Sequence, residues 1–319
     1  MASTNAMLLD RNGNVFDYFG GQSDLAQGIL HPTSAAFKED PLRVLRAMQF
    51  TSRFNMDASL TLIHYAREIA AEYQHLSVDR VREEWLKWSL GEFPHKGIKL
   101  LEQCGWLEHF QEIDAIRGIP QSPLYHAEGD VFRHTLMVLE QAGRQQNSLI
   151  TFAALCHDFG KAEYTVISAD GEITSPKHND PSSTFSFCRS IGLTEDFIAR
   201  VASLVREHMF DVSEATPRTI RRLLTRLATP NDFEPLCQLL VADRLGRIPQ
   251  GTLVHVNLMR SVYRELGADA IKPIVLGRHL IAAGLTPGPH FSARLKAAFE
   301  AQLDGGFEFD ELLQIALST

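Results

Sequence analysis

Long apolar runs are missing from this 319-residue chain. None approaches the roughly 18 residues that would mark a membrane-spanning helix. The opening MASTNAMLLDRNGN also lacks the basic-then-apolar order of a secretory leader, so we expect no membrane association and a cytoplasmic location. Cysteine is scarce and scattered. Cys104, Cys156, Cys188 and Cys237 form no C-x-x-C pair, which argues against a zinc ribbon or a disulfide framework and suits a reducing compartment. An excess of positive charge is absent too: the net charge is −8 and the pI is about 5.9, which disfavours diffuse binding to nucleic acid. Local basic clusters remain at Arg43, Arg46 and Arg53, at Arg80 and Arg82, and at Arg218, Arg221, Arg222 and Arg226. Each reads by default as a solvated helix face. No fixed-period repeat or low-complexity segment occurs, and strand signals nearly vanish after Ser34.

What is present is mostly helical. NAMLL and NVFDYF are strand-like and flank the turn formers DRNGN, so a small hairpin is expected at the start. In FGGQSDLAQGIL, Gly20-Gly21 punctuates the chain, and Ser23 or Asp24 is a candidate cap for a short helical turn. EDPLRVLRAMQFTSRF sets Leu42, Leu45 and Met48 on one face and arginines on another, which is the pattern of an amphipathic helix. SLTLIHYAREIAAEY, SVDRVREEWLKWSL and HKGIKLLEQCGWL read alike. After GIPQSP a second block supplies VFRHTLMVLEQAG, SLITFAALCHDFG, SSTFSFCRSIG, DFIARVASLVREHM, RTIRRLLTRL and FEPLCQLLVADRLG. YTVISADGEITSP, with Asp170-Gly171 as its turn, interrupts them as a hairpin. Beyond about residue 265 a tail carries turn signals at Gly277, Gly284 and TPGPH. The fold class is mostly α with minor hairpins, and the length suggests about two domains.

Ligand-type residues recur across the second block. His134 lies inside an apolar helix, His157-Asp158 ends the next, His208 closes VASLVREHM, and Asp243 sits inside LLVADRLG. Read alone, CHDFGK fits a helix terminus with Gly160 as its stop. It fits equally a metal corner that supplies a nitrogen and an oxygen ligand. Asp243 has Arg244 beside it as a possible salt-bridge partner, and Lys161 reads either as a phosphate holder or as a solvated helix-end lysine.

Taken together, His134…His157-Asp158…Asp243 resembles the signature of the HD superfamily of metal-dependent phosphohydrolases, down to the Gly160-Lys161 that follows the doublet. That resemblance implies a catalytic doublet of His157 and Asp158 with Lys161 on the phosphate. Its metal ligands would be His134, His157, Asp158 and Asp243, and His178 and His208 are candidates for a second ion. The cofactor would be a divalent ion such as Mg2+, Mn2+ or Ni2+. Neutral imidazoles and carboxylates drawn from different helices can hold such ions while leaving positions open for water and a phosphate oxygen.

YHAEGDVFRHT is similar to the H-P-E-G-D-V-x-x-H-T motif of bacterial CCA-adding enzymes and their poly(A) polymerase relatives, with Ala127 in place of the usual proline. FDYFGGQSDLAQGIL resembles the D-P-x-G-G-x-x-D-L segment that closes the polymerase head of class II tRNA nucleotidyltransferases. Asp17, Gly20, Gly21, Asp24 and Leu25 match, and Tyr18 departs from the frequent proline. EDPLRVLRAMQFTSRF resembles the family's E-D-x-x-R element, which implies that Asp40 and Arg43, with Arg46 nearby, would read the base of ATP or CTP. LSVDRVREEW looks like the neck helix that steadies that pocket, and PIVLGRHLIAAGLTPGPHFSARL resembles the family's carboxy-terminal segment. The resemblance therefore implies a head remnant over 1–33, a helical neck and RNA-binding body over 34–118, an HD domain over 119–265 and a helical tail over 266–319.

One departure is large. No D-x-D pair, the carboxylates that hold magnesium for nucleotidyl transfer in that family, occurs in these residues. Met1-Ala2 stand where the family's Arg-Arg-Asp precedes Thr-x-Asn-Ala, so the chain is expected to lack the first part of a polymerase head. The expected activity is then phosphatase or 2′,3′-cyclic phosphodiesterase action on nucleotides or RNA ends, with tRNA or RNA 3′ ends as partners. ATP and CTP would bind poorly at a vestigial Asp40–Arg43–Arg46 pocket, and no RNA-contacting residue is assigned. Two alternatives stand beside it: a fragment of an active CCA-adding nucleotidyltransferase, and a non-catalytic tRNA-binding module.

Overall fold

The computed structural model describes residues 3, 6–211, 213, 215–267 and 271–319. Met1, Ala2, Thr4 and Asn5, on which the reading of a shortened opening motif partly rests, lie outside the described residues. The expected opening hairpin forms: β1 (Met7–Leu9) pairs antiparallel with β2 (Val15–Asp17). Asp10 closes its turn by accepting from the amides of Asn12 and Asn14, both at 2.8 Å. The hairpin is poorly covered, and Leu8, Leu9, Phe16 and Tyr18 are exposed.

Helix α1 (Gly21–Gln27) begins at Gly20, which has φ 73, and its first amides, Gly21 N and Gln22 N, donate to the Asp17 carboxylate at 2.8 and 2.9 Å. Ser23 and Asp24 lie inside this helix, so the expectation that one of them caps it is corrected. A glycine reaches the left-handed region without steric cost and can turn the chain into the helix directly. Asp24 instead accepts from the buried Ser3 hydroxyl and faces His31 Nδ1 at 3.0 Å. One strand pair escaped the sequence reading. β3 (Ile29–Leu30) lies parallel to β4 (Asp57–Ala58), and two-residue strands carry no readable alternation.

The helices then follow the apolar periodicity. They are α2 (Leu42–Phe54), α3 (Leu60–Glu68), α4 (Val78–Ser89), α5 (Pro94–Gln103), α6 (Gln111–Ala115), α7 (Val131–Gly143), α8 (Ser148–Cys156), α9 (Lys161–Tyr164), α10 (Ser182–Ser190), α11 (Glu195–Glu207), α12 (Pro217–Arg226), α13 (Phe233–Leu245), α14 (Val254–Leu266), α15 (Gly277–Ala282), α16 (His290–Asp304) and α17 (Phe309–Ser318). The hairpin of β5 (Val166–Ile167) and β6 (Ile173–Thr174) interrupts them as expected. Gly277, read as a turn signal, opens α15 instead. None of these helices is long and apolar enough to cross a membrane.

The chain divides into two compact units. The first comprises residues 1–209 and 238–252, the second residues 210–237 and 253–319. In the first, α2 packs on α4 and α5, α5 on α7, and α8 on α4, α7 and α11. An aromatic cluster ties α4 to α8 and α10. Trp85 meets Phe187 edge-on at 5.3 Å between centroids, and Trp88 meets Phe152 at 5.7 Å. Both tryptophans are fully buried, and such rings stabilise a core by area and by offset geometry together. In the second unit Val275, Leu280, Ala298, Leu312 and Ala316 form a smaller core. There Arg218 and Arg222 are not simply solvated: both bond Asp304, and Arg222 also bonds Glu300.

Candidate metal centre

Helices α7, α8, α11 and α13 and the loop carrying His178 bring the site together. Helix α7 starts at Asp130, whose carboxylate accepts from Arg133 N at 2.8 Å and Gly118 N at 3.0 Å. This cap fixes the helix one turn before His134, which is 1% exposed. Helix α8 is buried along almost its whole length, consistent with a segment apolar on every side. Its C-cap is His157, with φ −56 and ψ −33, and Asp158 follows.

The reading of Gly160 as the stop of α8 is corrected. Its φ is −63, and it begins α9 rather than ending α8 in a left-handed turn. It is glycine for a different reason. A Cβ there would stand 2.2 Å from the backbone oxygen of His178. The bare backbone lets the loop carrying His178 lie directly against the doublet.

The ligand atoms converge. His134 Nε2 lies 3.2 Å from Asp243 Oδ1 and 3.7 Å from Asp158 Oδ2, and His157 Nε2 lies 3.2 Å from the same Asp158 oxygen. His157 Nε2 and His134 Nε2 are 3.3 Å apart. On the other carboxylate oxygen, Asp158 Oδ1, His178 Nε2 approaches to 3.5 Å and His208 Nε2 to 3.8 Å. Asp158 therefore sits between two groups, one with His134 and His157 and one with His178 and His208.

Each imidazole is oriented by its other nitrogen. Nδ1 of His157, His178 and His208 meets the carbonyls of Ala154, Ser175 and Val205 at 2.9, 2.6 and 2.6 Å. Nδ1 of His134 meets Glu128 Oε1 at 2.9 Å. Because a carbonyl can only accept, these bonds place the proton on Nδ1 and leave the Nε2 lone pairs facing inward. Two inward lone pairs 3.3 Å apart repel unless a cation or a proton lies between them. This donor set fits a divalent ion.

The electrostatics agree with that chemistry. Burial pushes His208 down to about 4, helped by the charge of His157, and burial also lowers His178. Both are neutral donors at neutral pH. Burial opposes charge on Asp158, yet His157 and Lys161 outweigh it and hold its carboxyl well below the usual range. The same holds for Asp243, where the bond to His134 prevails over burial. Burial disfavours a charged His134, but the bonds to Asp243 and Glu128 overcome it and raise its pKa to about 9. Without an ion, then, His134 holds a proton in the place a cation would take.

That raised pKa sets a pH dependence. Relative to its ordinary 6.5, a folded value of about 9 gives stability that is complete below 6.5 and disappears as pH rises through 9. We expect the melting temperature of the metal-free protein to fall across this window. With Mn2+ bound, coordination replaces the proton and the fall should vanish, while binding at pH 7.5 releases about one proton. A flat metal-free melting profile in EDTA between those pH values would exclude this coupling.

Lys161 is buried, not a solvated helix-end lysine. Its Nζ donates to Asp158 Oδ2 at 2.7 Å and to Gln121 Oε1 at 2.8 Å. The sequence reading assigned no role to Glu128 or Gln121. Glu128 accepts from the rings of His126 and His134 and from Ile248 N, so it orients a proposed ligand from behind. The only signal for Glu128 was its place in the YHAEGDVFRHT motif, and Gln121 had none. Around these groups lies a cavity of about 220 Å3, with Tyr125, Met209 and Arg247 among its lining. A larger open groove of about 780 Å3, lined by Lys99, Phe132, Arg133 and Met137, brings no His/Asp set together among the described residues.

Away from this centre, Asp40 accepts from Leu42 N at 3.1 Å and from Arg80 at 2.9 Å. Arg43 donates to the carbonyl of Ala36, and Arg46 is exposed. Of the base-reading candidates, Asp40 is thus joined to α4 through Arg80.

Comparison with known proteins agrees with this architecture. The HD domain family model matches residues 131–247, and the model described as a probable RNA and SrmB-binding site of polymerase A matches residues 63–116. The fold is that of a CCA-adding enzyme. The Bacillus stearothermophilus CCA-adding enzyme in complex with CTP superposes with a TM-score of 0.65 at 18% identity, covering 99% of this chain and 72% of that one. The Thermotoga maritima CCA-adding enzyme complexed with tRNA gives 0.57 at 18%, covering 99% and 71%. Sequence relatives are closer. The multifunctional CCA protein of Nitrosococcus oceani is 34% identical over 304 residues, spanning 88% of this chain and 70% of that protein. Its Acinetobacter baumannii counterpart is 32% identical over 298 residues, spanning 87% and 72%. The chain belongs to the multifunctional CCA protein family and carries an HD domain.

Proposed function

We propose that this chain is a metal-dependent phosphohydrolase that removes terminal phosphates or opens 2′,3′-cyclic phosphates on nucleotides and RNA 3′ ends. The observation that carries the proposal is the convergence of four inward Nε2 atoms on the two oxygens of one buried carboxylate. In this reading His134, His157, Asp158 and Asp243 hold the first ion, and His178 and His208, with Asp158, are placed for a second. Mg2+, Mn2+ and Ni2+ are the candidates. Such an ion, when bound, lowers the pKa of a coordinated water and neutralises charge on the phosphoryl group.

The chain's own residues do the rest. His157 and Asp158 orient the reacting water through the bonds that hold them, and Lys161 offers its remaining proton to a phosphate oxygen. Water adds to phosphorus as one P–O bond breaks, and the proton that the water gives up ends on the leaving oxygen. In a cyclic substrate the product is a monoester.

We place this activity in tRNA 3′-end processing in the cytoplasm, with 1–33 as part of a polymerase head, 34–118 as an RNA-binding body, 119–265 as the HD domain and 266–319 as a tail. A second reading, nucleotidyl transfer onto tRNA, is favoured by the relatives' name and by the Asp40–Arg43 element. We assign its metal-holding carboxylates to no residues of this chain, because no D-x-D pair occurs among them.

The test is direct. The purified chain with each of the three ions is offered 2′,3′-cyclic AMP, 2′-AMP and a tRNA fragment ending in a cyclic phosphate. Turnover that requires metal and is absent in His157→Ala is the expected result. No turnover with any ion refutes the hydrolase reading. Calorimetry with ATP and CTP plus magnesium should show weak binding at most, since Arg80 already engages the Asp40 carboxylate. Micromolar, base-selective affinity would favour the second reading.

A further inference from the structure

Gln121 lies in the segment between Ile119 and Asp130, just before α7. That segment is anchored at several points. Pro120 bridges Asp130, Val131 N donates to Ile119 O at 3.0 Å, and Ala127 N donates to Ile248 O at 2.8 Å. Gln121 is 6% exposed and lines the cavity together with His157, Asp158 and Lys161.

Which end of the amide faces the lysine is not ambiguous. An ammonium has only donors, so the atom 2.8 Å from Lys161 Nζ has to be the carbonyl oxygen. The amide nitrogen is therefore not the lysine's partner and has two protons to give. It is buried and bonds to nothing among the described residues. Buried donors are nearly always paired, and an orphan at a site calls for a partner that the protein itself does not supply.

The neighbours narrow what that partner is. The carboxylate of Asp158 already accepts from Lys161 and faces the imidazoles, so it is committed. Two of the three protons of Lys161 are used as well, one on Asp158 and one on Gln121. One ammonium proton of Lys161 and the amide protons of its bonded neighbour Gln121 thus remain unused in the lining of one cavity. An acceptor oxygen that also carries negative charge fits both. A phosphoryl group offers several such oxygens, and positioned donors on them stabilise phosphoryl transfer.

We infer that Gln121 is a substrate-contacting residue whose Nε2 donates to a phosphoryl oxygen, while its Oε1 aims the ammonium of Lys161 at the same group. This rests on the phosphohydrolase reading above, but it is measurable apart from turnover. Gln121→Glu keeps an acceptor for Lys161, removes the donor and adds negative charge. Gln121→Met keeps the approximate volume and removes both polar ends.

The probes are Mn2+ alone and then inorganic phosphate on the Mn2+-loaded protein, each followed by calorimetry. Mn2+ affinity is expected to stay within about threefold in both variants. Phosphate affinity should fall about tenfold in Gln121→Met and further in Gln121→Glu. Where the parent hydrolyses a phosphoester, kcat/KM should fall in the same order. Phosphate affinity within twofold of the parent overturns the inference, even if the melting temperature drops, because a purely structural amide would move stability alone. Loss of Mn2+ affinity in step with phosphate overturns it as well, as does a parent protein that binds no phosphate. A parent that binds phosphate through Gln121 yet turns over no ester sinks the hydrolase reading and leaves the assignment of Gln121 standing.

Discussion

Asp158→Asn should lose metal binding by at least about a hundredfold and any phosphohydrolase activity by a thousandfold or more. The size follows from where the carboxylate sits. Its two oxygens lie within 3.8 Å of four imidazoles, and one of them also takes a proton from Lys161. Replacing even an outer-shell partner of a metal ligand typically costs about 10–100-fold in affinity, and this group touches every imidazole of the centre. The asparagine has the right shape but no charge, and its NH2 group would face donors. In the metal-free protein the same change leaves Lys161 and a protonated His134 without their central counter-charge. Removing one partner of a buried ion pair costs about 3–5 kcal/mol, so the metal-free variant should also melt earlier. Metal titration, a phosphoester assay and thermal melts in EDTA cover all three effects. Wild-type metal affinity in this variant would remove Asp158 from the centre.

Gly160→Ala should destabilise the protein by about 1–3 kcal/mol, the range for overpacking a tight interior. A substitution table would suggest the opposite sign. At φ −63 alanine is conformationally at ease, and a glycine-to-alanine change at such a site ordinarily stabilises by about 0.4–1 kcal/mol through the unfolded chain. The close approach decides otherwise, because the added methyl would lie 2.2 Å from the oxygen of His178 and 2.9 Å from its carbonyl carbon. Neither is the end of a flexible side chain, so the backbone carrying His178 has to move. His178 Nδ1 is bonded to Ser175 O, and the shift should pull its Nε2 away from Asp158. Binding at the His178–His208 group should therefore weaken more than binding at the His134–His157 group. Denaturant melts and a two-ion titration measure both effects. An alanine variant as stable as the parent would show that the loop yields freely.

Gly160 also marks where reading residues in order stops working. The sequence places a glycine after the doublet, and the ordinary meaning of a glycine there is a helix stop. Its real constraint comes from a carbonyl eighteen positions on, which no local pattern contains. Gln121 illustrates the same limit. Nothing around GIPQSP distinguishes that glutamine from a loop residue until Lys161 is seen against it. The short parallel pair Ile29–Leu30 with Asp57–Ala58 was likewise illegible, since two residues per strand leave no period to detect.

The helices that carry the candidate metal centre and the types of donor on them were legible in the sequence alone. Apolar periodicity needs only nearest neighbours on a helix, and His…His-Asp…Asp in that order names donors whose chemistry does not depend on the fold. The orientation of those donors is largely local to the chain: Nδ1 of His157, His178 and His208 each meets a carbonyl three residues earlier, and Nδ1 of His134 a carboxylate six residues earlier. Their convergence belongs to the tertiary structure, which brings Asp243 to 3.2 Å from His134 and brings His178 and His208 to 3.5 and 3.8 Å from Asp158. Hydrogen bonds and ion pairs act over a few ångströms, and only folding brings residues more than a hundred positions apart to that distance.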